Sequence, residues 1–223
     1  MVGRIQMIRA ARVLVVCALA GALDGCGSDS DFVTMGGLLW DNVSRIGSEG
    51  PPVPRNQAAA VPYASIGIRY GSNPEAMLIL ATKSGSDSEW LGGTQFSIIT
   101  REGRIIRTVG LPHNLTGFQG PIVDSGSDAT PGSYHYLYDF SERHVFGAIV
   151  ECTQHDAGPE RIEIIGGSHD TRHIVEQCMA SQFGWQFQND FWRDAVTGYV
   201  WKTMQIIYPD DDPVTISVLR PEQ

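Results

Sequence analysis

The fold of this chain is decided by the stretch FSIITREGRIIRTV, residues 96–109. Two runs rich in β-branched residues, Phe96 to Thr100 and Arg104 to Val109, flank the turn Arg101-Glu102-Gly103. A short loop that contains glycine between two such runs is typical of a β-hairpin. The stretch therefore predicts two antiparallel strands joined by a tight turn.

The same pattern extends outward in both directions. On the amino-terminal side, Pro62 to Tyr70 alternates apolar and polar residues, and Ala76 to Thr82 is nearly continuously apolar. On the carboxyl-terminal side, further strands are predicted at Tyr134–Phe140, Val145–Cys152, Arg161–Ile165, Thr171–Cys178, Phe191–Asp194, Tyr199–Ile207 and Val214–Leu219. Because long helices do not alternate with these strands, we predict an all-β fold, mainly an antiparallel sheet, closed into a sandwich or an open barrel.

Two stretches between the strands lack this periodicity. Ser84 to Glu89 is predicted to be a loop, and Gly110 to Gly132, rich in Gly, Pro, Ser and Asp, a long excursion. Before the strands, Phe32 to Ile46 has the apolar spacing of one short amphipathic helix. Gly47 to Gln57 contains three prolines, which forbid helix and disfavour a central strand, and is predicted to be a linker.

The amino terminus has the order of residues found in a secretion signal. Three arginines precede an apolar run from Val13 to Leu23. The next residues complete Leu23-Asp24-Gly25-Cys26, which resembles the lipobox at which bacterial lipoproteins are acylated and cleaved. Mature residue one is then Cys26, held in the membrane by several acyl chains such as palmitate. An ordinary signal with an incidental cysteine, or an uncleaved anchor, remains the alternative.

These features divide the chain into three parts. Residues 1–25 are the predicted signal peptide, 26–57 the tether, short helix and Pro-rich linker, and 58–223 a single β domain. The apolar run of the signal is too short for a membrane span, which needs about 20 residues. Gly27 follows the cysteine, which favours the periplasmic face of the outer membrane over retention at the inner membrane.

Charge and cysteine content agree with export. The segment 1–25 holds three arginines and one aspartate, so its removal from the 223 residues takes the formal net charge from −9 to −11. An acidic protein lacks the basic face that nucleic-acid binding requires. Cys152 and Cys178 remain as an even pair in an oxidising compartment, and we predict a disulfide between them, worth about 3 kcal/mol. Two buried free thiols are the alternative.

Signatures of catalysis and of cofactor binding are absent from the sequence. It has no Gly-x-Ser-x-Gly, no phosphate loop, no His-Glu-x-x-His and no dinucleotide fingerprint. His169 and His173 fall in a predicted strand, where residues four apart are separated by about 13 Å, too far to share a metal. The run Asp210-Asp211-Asp212 is interpreted as a solvated turn rather than a calcium site. We predict no catalytic residues, no metal and no cofactor.

Several motifs resemble those of the YjbF/GfcB lipoprotein family. The resemblance covers nearly the whole chain from about residue 58, with Met204 standing where a basic residue is expected. The residues that carry it are Pro62–Gly67, Pro74–Ala76, Arg104–Pro112, Asn114-Leu115, Phe191–Asp194, Thr197–Lys202, Gln205 and Val218–Pro221. It implies a lipoprotein of the outer membrane that takes part in export or assembly of capsule and exopolysaccharide. The family offers no catalytic residues to transfer to this chain.

Three functions are compatible with these observations. The first is a non-enzymatic accessory factor that binds polysaccharide or polysaccharide export proteins. The second is a carrier of a lipid or an acylated ligand in a half-barrel, because Phe191-Trp192 and Trp201 also resemble the tail of periplasmic lipoprotein carriers. The third is a glycan-cleaving enzyme, which requires two carboxylates facing each other across a groove.

Overall fold

The computed structural model describes residues 53–93, 95–122 and 132–222. In these ranges one short helix, α1 (Arg55–Ala60), precedes twelve strands. The strands are β1 (Ser65–Tyr70), β2 (Ala76–Ser84), β3 (Asp87–Gly92), β4 (Phe96–Arg101), β5 (Arg104–Val109), β6 (Gly117–Ile122), β7 (Ser133–Phe140), β8 (Val145–Ile164), β9 (Gly167–Ala180), β10 (Trp185–Asp194), β11 (Val200–Gln205) and β12 (Val214–Arg220).

All twelve strands belong to one antiparallel sheet. Its order is β5-β4-β3-β2-β1-β12-β11-β10-β9-β8-β7-β6, so β1 pairs with β12 and the two chain halves meet at the middle of the sheet. The two edge strands, β5 and β6, also contact each other, which nearly closes the sheet into a barrel. The predicted all-β, mainly antiparallel fold is confirmed, and of the two predicted forms the sheet takes the open barrel.

The antiparallel order gives the barrel two distinct ends. We call the end that carries the turns at 71–75, 141–144, 181–184 and 206–213 the upper end. The turns at 85–86, 102–103 and 195–199 lie at the lower end. The two ends differ in how the interior is filled.

Aromatic side chains fill the upper half of the barrel. The Trp185 and Phe187 rings stack with centroids 3.9 Å apart, and Phe140 meets Trp185 edge-on at 6.1 Å. Tyr208 packs against Phe140 at 5.1 Å, and its hydroxyl accepts a 3.0 Å hydrogen bond from Arg143 Nε. Because these side chains are large and buried, the upper end is plugged, and the main hydrophobic core continues from them into the walls of the lower half.

The β8–β9 hairpin is longer than the barrel wall. The pairing of β10 with β9 ends at Asp194, opposite Thr171. Strands β8 and β9 continue to pair with each other past this point, and we call this extension, residues 157–170, the arm. A bulge between Asp156 and Gly158 interrupts the pairing at the base of the arm. The arm packs against the outer face of the sheet, where three buried apolar side chains form a small second core: Ile162, Ile164 and Trp192.

The structure corrects several predicted boundaries; β10, predicted from Phe191, begins at Trp185. The predicted loop Ser84–Glu89 is shorter, because β3 begins at Asp87 and buries Ser88 and Trp90 on alternate positions. The predicted excursion Gly110–Gly132 contains β6, whose Gly- and Pro-rich sequence hid it. The two predicted strands Val145–Cys152 and Arg161–Ile165 are one strand of 20 residues, β8, which passes through its bulge without ending.

The amino-terminal predictions fall mostly outside the described residues. This applies to the signal peptide, to Cys26 and to the helix predicted at Phe32–Ile46. Helix α1 begins at Arg55, inside the predicted linker Gly47–Gln57. The reason is that Pro54 occupies the N-cap position, where its missing N–H breaks no helical hydrogen bond and its carbonyl accepts from Ala58 N at 3.1 Å; the five residues after Arg55 complete the helix.

Candidate functional site

A cavity of about 610 Å³ opens at the lower end of the barrel, below the aromatic plug. Strands β1, β3, β4, β11 and β12 give it walls of alternating inward side chains. Its inner wall includes Ile66, Trp90, Thr100, Thr203, Ile216 and Val218. The Trp90 indole nitrogen donates a 2.9 Å hydrogen bond to Thr100 Oγ1, which satisfies both groups in the buried wall.

Charged and hydroxyl groups surround the mouth of the cavity. Lys83 forms an ion pair with Glu222, whose other oxygen accepts a 2.6 Å hydrogen bond from Ser88 Oγ. Tyr199 lines the same mouth, and burial together with the charge of Glu222 raises the pKa of Tyr199 to about 12. The tyrosine therefore carries its proton at neutral pH and can donate or accept a hydrogen bond.

The β10–β11 turn holds two aromatic rings at this mouth. Tyr199 and Trp201 meet edge-on with centroids 5.0 Å apart. Asp194 fixes the turn, because it accepts hydrogen bonds from the Thr197 backbone at 2.8 Å and from the Trp201 indole at 3.2 Å. These bonds, together with those from the Thr197 hydroxyl and the Val196 backbone, lower the pKa of Asp194 to about 2.

The β4–β5 turn forms another wall of the cavity. A Cβ atom on Gly103 would lie 2.6 Å from Val200, and its φ of +83° is in the region that favours glycine. The Gln205 amide then completes the free edge of β5: its oxygen accepts from Ile105 N at 3.0 Å and its nitrogen donates to Gly103 O at 2.9 Å. Gln205 thus replaces a neighbouring strand for these two backbone groups.

A buried ion pair lies on the other side of this turn. Arg104 Nη2 donates to Glu176 Oε1 at 2.6 Å across the barrel, from β5 to β9. Glu176 also accepts from the Tyr136 hydroxyl at 3.2 Å, from Gln154 at 2.8 Å and from Asn189 at 2.8 Å.

Aromatic rings surround the cation of this pair. The Arg104 guanidinium carbon lies 4.6 Å from the centroid of the Tyr136 ring and 5.0 Å from that of Phe191. Burial alone would raise the pKa of Glu176, but the Arg104 charge and the hydrogen-bond donors lower it below its usual range. The carboxylate is therefore ionised and fully hydrogen-bonded, which suits a structural role better than proton transfer.

Cys152 and Cys178 form a disulfide that joins β8 to β9. They are directly opposite each other in the register of the two strands, with Cα atoms 4.1 Å apart. Their sulfur atoms lie close to a Glu176 oxygen. Because the two sulfurs are bonded to each other, this group does not offer the thiolate ligands that a metal site would need.

His169 and His173, the histidines considered above as metal ligands, lie on β9, and each packs against a tryptophan ring. His169 packs on Trp201 with centroids 3.9 Å apart, and His173 stacks on Trp192 at 4.7 Å. His173 Nε2 also lies 2.7 Å from Asp190 Oδ1. His169 therefore holds the arm against Trp201, whereas His173 stacks on its direct cross-strand neighbour in the pairing of β9 with β10.

The aspartate run at 210–212 is tied to the upper end of the barrel. Asp211 accepts a hydrogen bond from the Tyr70 hydroxyl and lies 3.2 Å from His113 Nδ1. The carboxylate of Asp212 lies against Gly71, at the end of β1. The run thus joins two upper turns.

The polar residues of the interior are not identified as a site by local sequence patterns. The sequence places Arg104, Gln205 and Arg193 in strands and in the motifs of the family resemblance, and Glu176 in the strand Thr171–Cys178, with no site role for any of them. One signal for Glu176 is present in the sequence: it precedes Cys178 and Ala180 at alternate positions, so it shares their inward face. Its partners come from distant strands and carry no comparable local signal.

Comparisons with known proteins give a consistent result. A family model described as group 4 capsule polysaccharide lipoprotein gfcB, YjbF matches residues 42–219. The uncharacterized lipoprotein GfcB of Escherichia coli K12 is 26% identical over 94% of this chain and 99% of its own. The uncharacterized lipoprotein YjbF of the same organism is 20% identical over 93% of this chain and 96% of its own.

One solved structure has the same fold. It is the crystal structure of the hypothetical lipoprotein YmcC from Escherichia coli K12, with a TM-score of 0.68 and 22% identity. The match covers 89% of this chain and 100% of that one. Within the described ranges of our chain, no helix is both long and apolar enough to cross a membrane.

Proposed function

Because this chain belongs to the family of group 4 capsule polysaccharide lipoproteins, we propose that it assists capsule or exopolysaccharide export or assembly without catalysing a reaction. In this proposal acyl chains on Cys26 hold it at the periplasmic face of the outer membrane. The lower cavity binds a segment of the polysaccharide. Polysaccharide export proteins are the expected neighbours in the envelope.

The observation that carries this proposal is the composition of the cavity. Its volume of about 610 Å³ lies in the range of small-molecule sites, about 300–1,000 Å³. Tyr199 and Trp201 offer ring surfaces at its mouth, and Ser86 and Tyr199 offer hydroxyls there. Sugars present both apolar ring faces and hydroxyl groups, so a mixed lining of this kind matches them.

A non-enzymatic role is supported by the hydrogen bonds and ion pairs that already engage the carboxylates in and near the cavity. Glycan hydrolysis requires two of them on opposite sides of the bond to be cleaved. Among the described lining residues the carboxylates are Glu102 and Glu222, and both oxygens of Glu222 are engaged by Lys83 and Ser88. Glu176 is surrounded by four donors inside the barrel.

A carrier of a lipid or an acylated ligand is the second candidate, because the cavity is open at one end. An acyl chain needs a continuous apolar chamber, however, and here the upper half of the interior is filled by aromatic rings. Extraction of the purified lipoprotein with organic solvent, followed by mass spectrometry, tests this alternative. A stoichiometric acylated ligand distinct from the Cys26 anchor would favour the carrier.

Complementation of a deletion strain tests the proposal. We expect the deletion to reduce the amount or the length of surface polysaccharide, and the wild-type chain to restore it. Tyr199→Ala should restore less, because it removes a ring from the mouth. Val196→Ala is the matched control, since Val196 lies in the same turn, is 94% exposed and does not line the cavity. Unchanged polysaccharide in the deletion strain would refute the proposed function.

Location is tested separately. We expect the protein to fractionate with the outer membrane on a density gradient, and the Cys26→Ala variant to leave that fraction. Recovery of the wild-type protein with the inner membrane would contradict the proposed location.

A further inference from the structure

We propose that Arg193 recognises an anionic substituent, a carboxylate or a phosphate ester, on the sugar that the lower cavity binds. The proposal rests on the proposed function, since it names the chemistry of the ligand at the same site. It follows from a cation in the lining of the cavity, Arg193, that has no carboxylate partner among the described residues.

Arg193 is placed by the alternation of β10. Phe187, Asn189 and Phe191 are buried at every second position, and Arg193 continues this inward-facing series one step nearer the lower end. It lies opposite Arg172 in the register of β9 and β10. The side chain therefore enters the cavity from the wall between the buried ion pair and the mouth.

Three other cations around the interior have carboxylate partners, and Lys202 Nζ lies 4.5 Å from the centroid of the Trp192 ring. Lys83 is paired with Glu222, Arg172 with Asp156 at 2.5 Å, and Arg104 with Glu176 at 2.6 Å. Arg193 differs from all three. Across the described residues no carboxylate lies within ion-pair distance of Arg193, and its Nε is buried without a hydrogen-bond partner. Its terminal nitrogens are not among the buried unpartnered atoms, and Arg193 lines the cavity.

An anionic ligand group would complete this arrangement. A guanidinium presents its N–H donors in a planar fork that matches the two oxygens of a carboxylate or phosphate. Because Nε is buried, the anion would bind the terminal nitrogens of Arg193. The chain as a whole is acidic, with a formal net charge of −9, so it does not attract anions in general. Recognition must therefore be local, at Arg193.

Isothermal titration calorimetry on the mature lipoprotein in detergent tests the proposal. The probes are tetragalacturonate and its methyl ester, which is neutral and has the same length, and glucose 6-phosphate against glucose. We expect the anion of a pair to bind about tenfold or more tightly than its neutral counterpart, as expected for a hydrogen bond to a charged group. The pair with the larger ratio of charged-probe to neutral-probe affinity shows whether Arg193 prefers a carboxylate or a phosphate.

Three variants complete the design. Arg193→Gln should abolish the preference for the anion, and Arg193→Lys, which keeps the charge but not the fork, should retain part of it. Arg161→Gln should bind as the wild type does, because Arg161 lies on the exposed arm and pairs with Asp170. Circular dichroism confirms that each variant is folded.

The outcomes separate this inference from the proposed function. Equal affinity for the charged and neutral probes, or a preference that survives Arg193→Gln, would refute the role of Arg193 while leaving glycan binding intact. Absence of binding by every probe would also refute it. The complementation assay judges the proposed function independently, because it measures polysaccharide at the cell surface and does not depend on these probes.

Discussion

Substitution Glu176→Gln removes the charge that neutralises Arg104 inside the barrel and leaves the size of the side chain unchanged. Glu176 is fully buried and the Arg104 side chain is 13% exposed, so water replaces little of the lost interaction. Removing one partner of a buried pair costs about 3–5 kcal/mol. Because the glutamine oxygen still accepts a hydrogen bond, we expect the lower value, about 3 kcal/mol at pH 7.

The effect should depend on pH with a definite sign. The Arg104 charge and the hydrogen-bond donors hold the pKa of folded Glu176 below that of the unfolded chain, about 4.3. The carboxylate therefore stabilises the fold fully above the unfolded value, and this contribution is lost as the pH falls through the folded pKa. We expect the difference in stability between wild type and Glu176→Gln to shrink in acid.

Urea unfolding followed by tryptophan fluorescence measures the change. A loss of about 3 kcal/mol lowers the midpoint by roughly 1 M urea or more at an unchanged slope. Arg161→Gln is the control, because both partners of the Arg161–Asp170 pair are exposed, and its midpoint should match that of the wild type. The double variant Arg104→Met with Glu176→Leu should lose less than Glu176→Gln alone. A Glu176→Gln midpoint equal to that of the control would refute the reasoning.

Three further predictions concern the disulfide and the β4–β5 turn. The double variant Cys152→Ala/Cys178→Ala should lose about 2–4 kcal/mol of unfolding free energy, and alkylation with mass spectrometry of the exported wild type should find neither thiol free. Gln205→Leu leaves two backbone groups of the β5 edge without partners and should cost about 2–4 kcal/mol in urea unfolding, whereas an unchanged midpoint would mean that water replaces the amide. Gly103→Ala forces a Cβ to within 2.6 Å of Val200 and should cost about 2 kcal/mol, measured against the exposed control Gly85→Ala, which meets no atom within 4 Å.

Local patterns were sufficient to predict most of the sheet. The hairpin β4–β5 and the hairpin β10–β11 were predicted because their side chains alternate and their turns carry glycine. Strand β3 was partly missed, because one of its inward residues is Ser88, a polar side chain that reads as a loop. In β8, the sequence Asp156-Ala157-Gly158-Pro159 reads as a turn, yet pairing with β9 carries the strand past it.

The candidate site was less accessible to sequence reasoning. Arg104 and Glu176 are 72 residues apart and meet only because the sheet closes. Arg193 is near the end of a strand, next to a polar turn, so its sequence context predicts an exposed residue. In the closed barrel it lines the cavity instead. Local alternation can indicate which face a residue occupies, but the partners across the interior depend on closure of all twelve strands.

The central claim is that the lower cavity binds the polysaccharide. Its most direct test is a heteronuclear spectrum of the mature protein with ¹⁵N-labelled tryptophan, titrated with oligosaccharides of the native polymer. The account predicts saturable shifts of the indole signals of Trp90 and Trp201, which line the cavity, and an unmoved signal for Trp185 in the upper plug. Unmoved signals for Trp90 and Trp201, or an equal shift at Trp185, would contradict it.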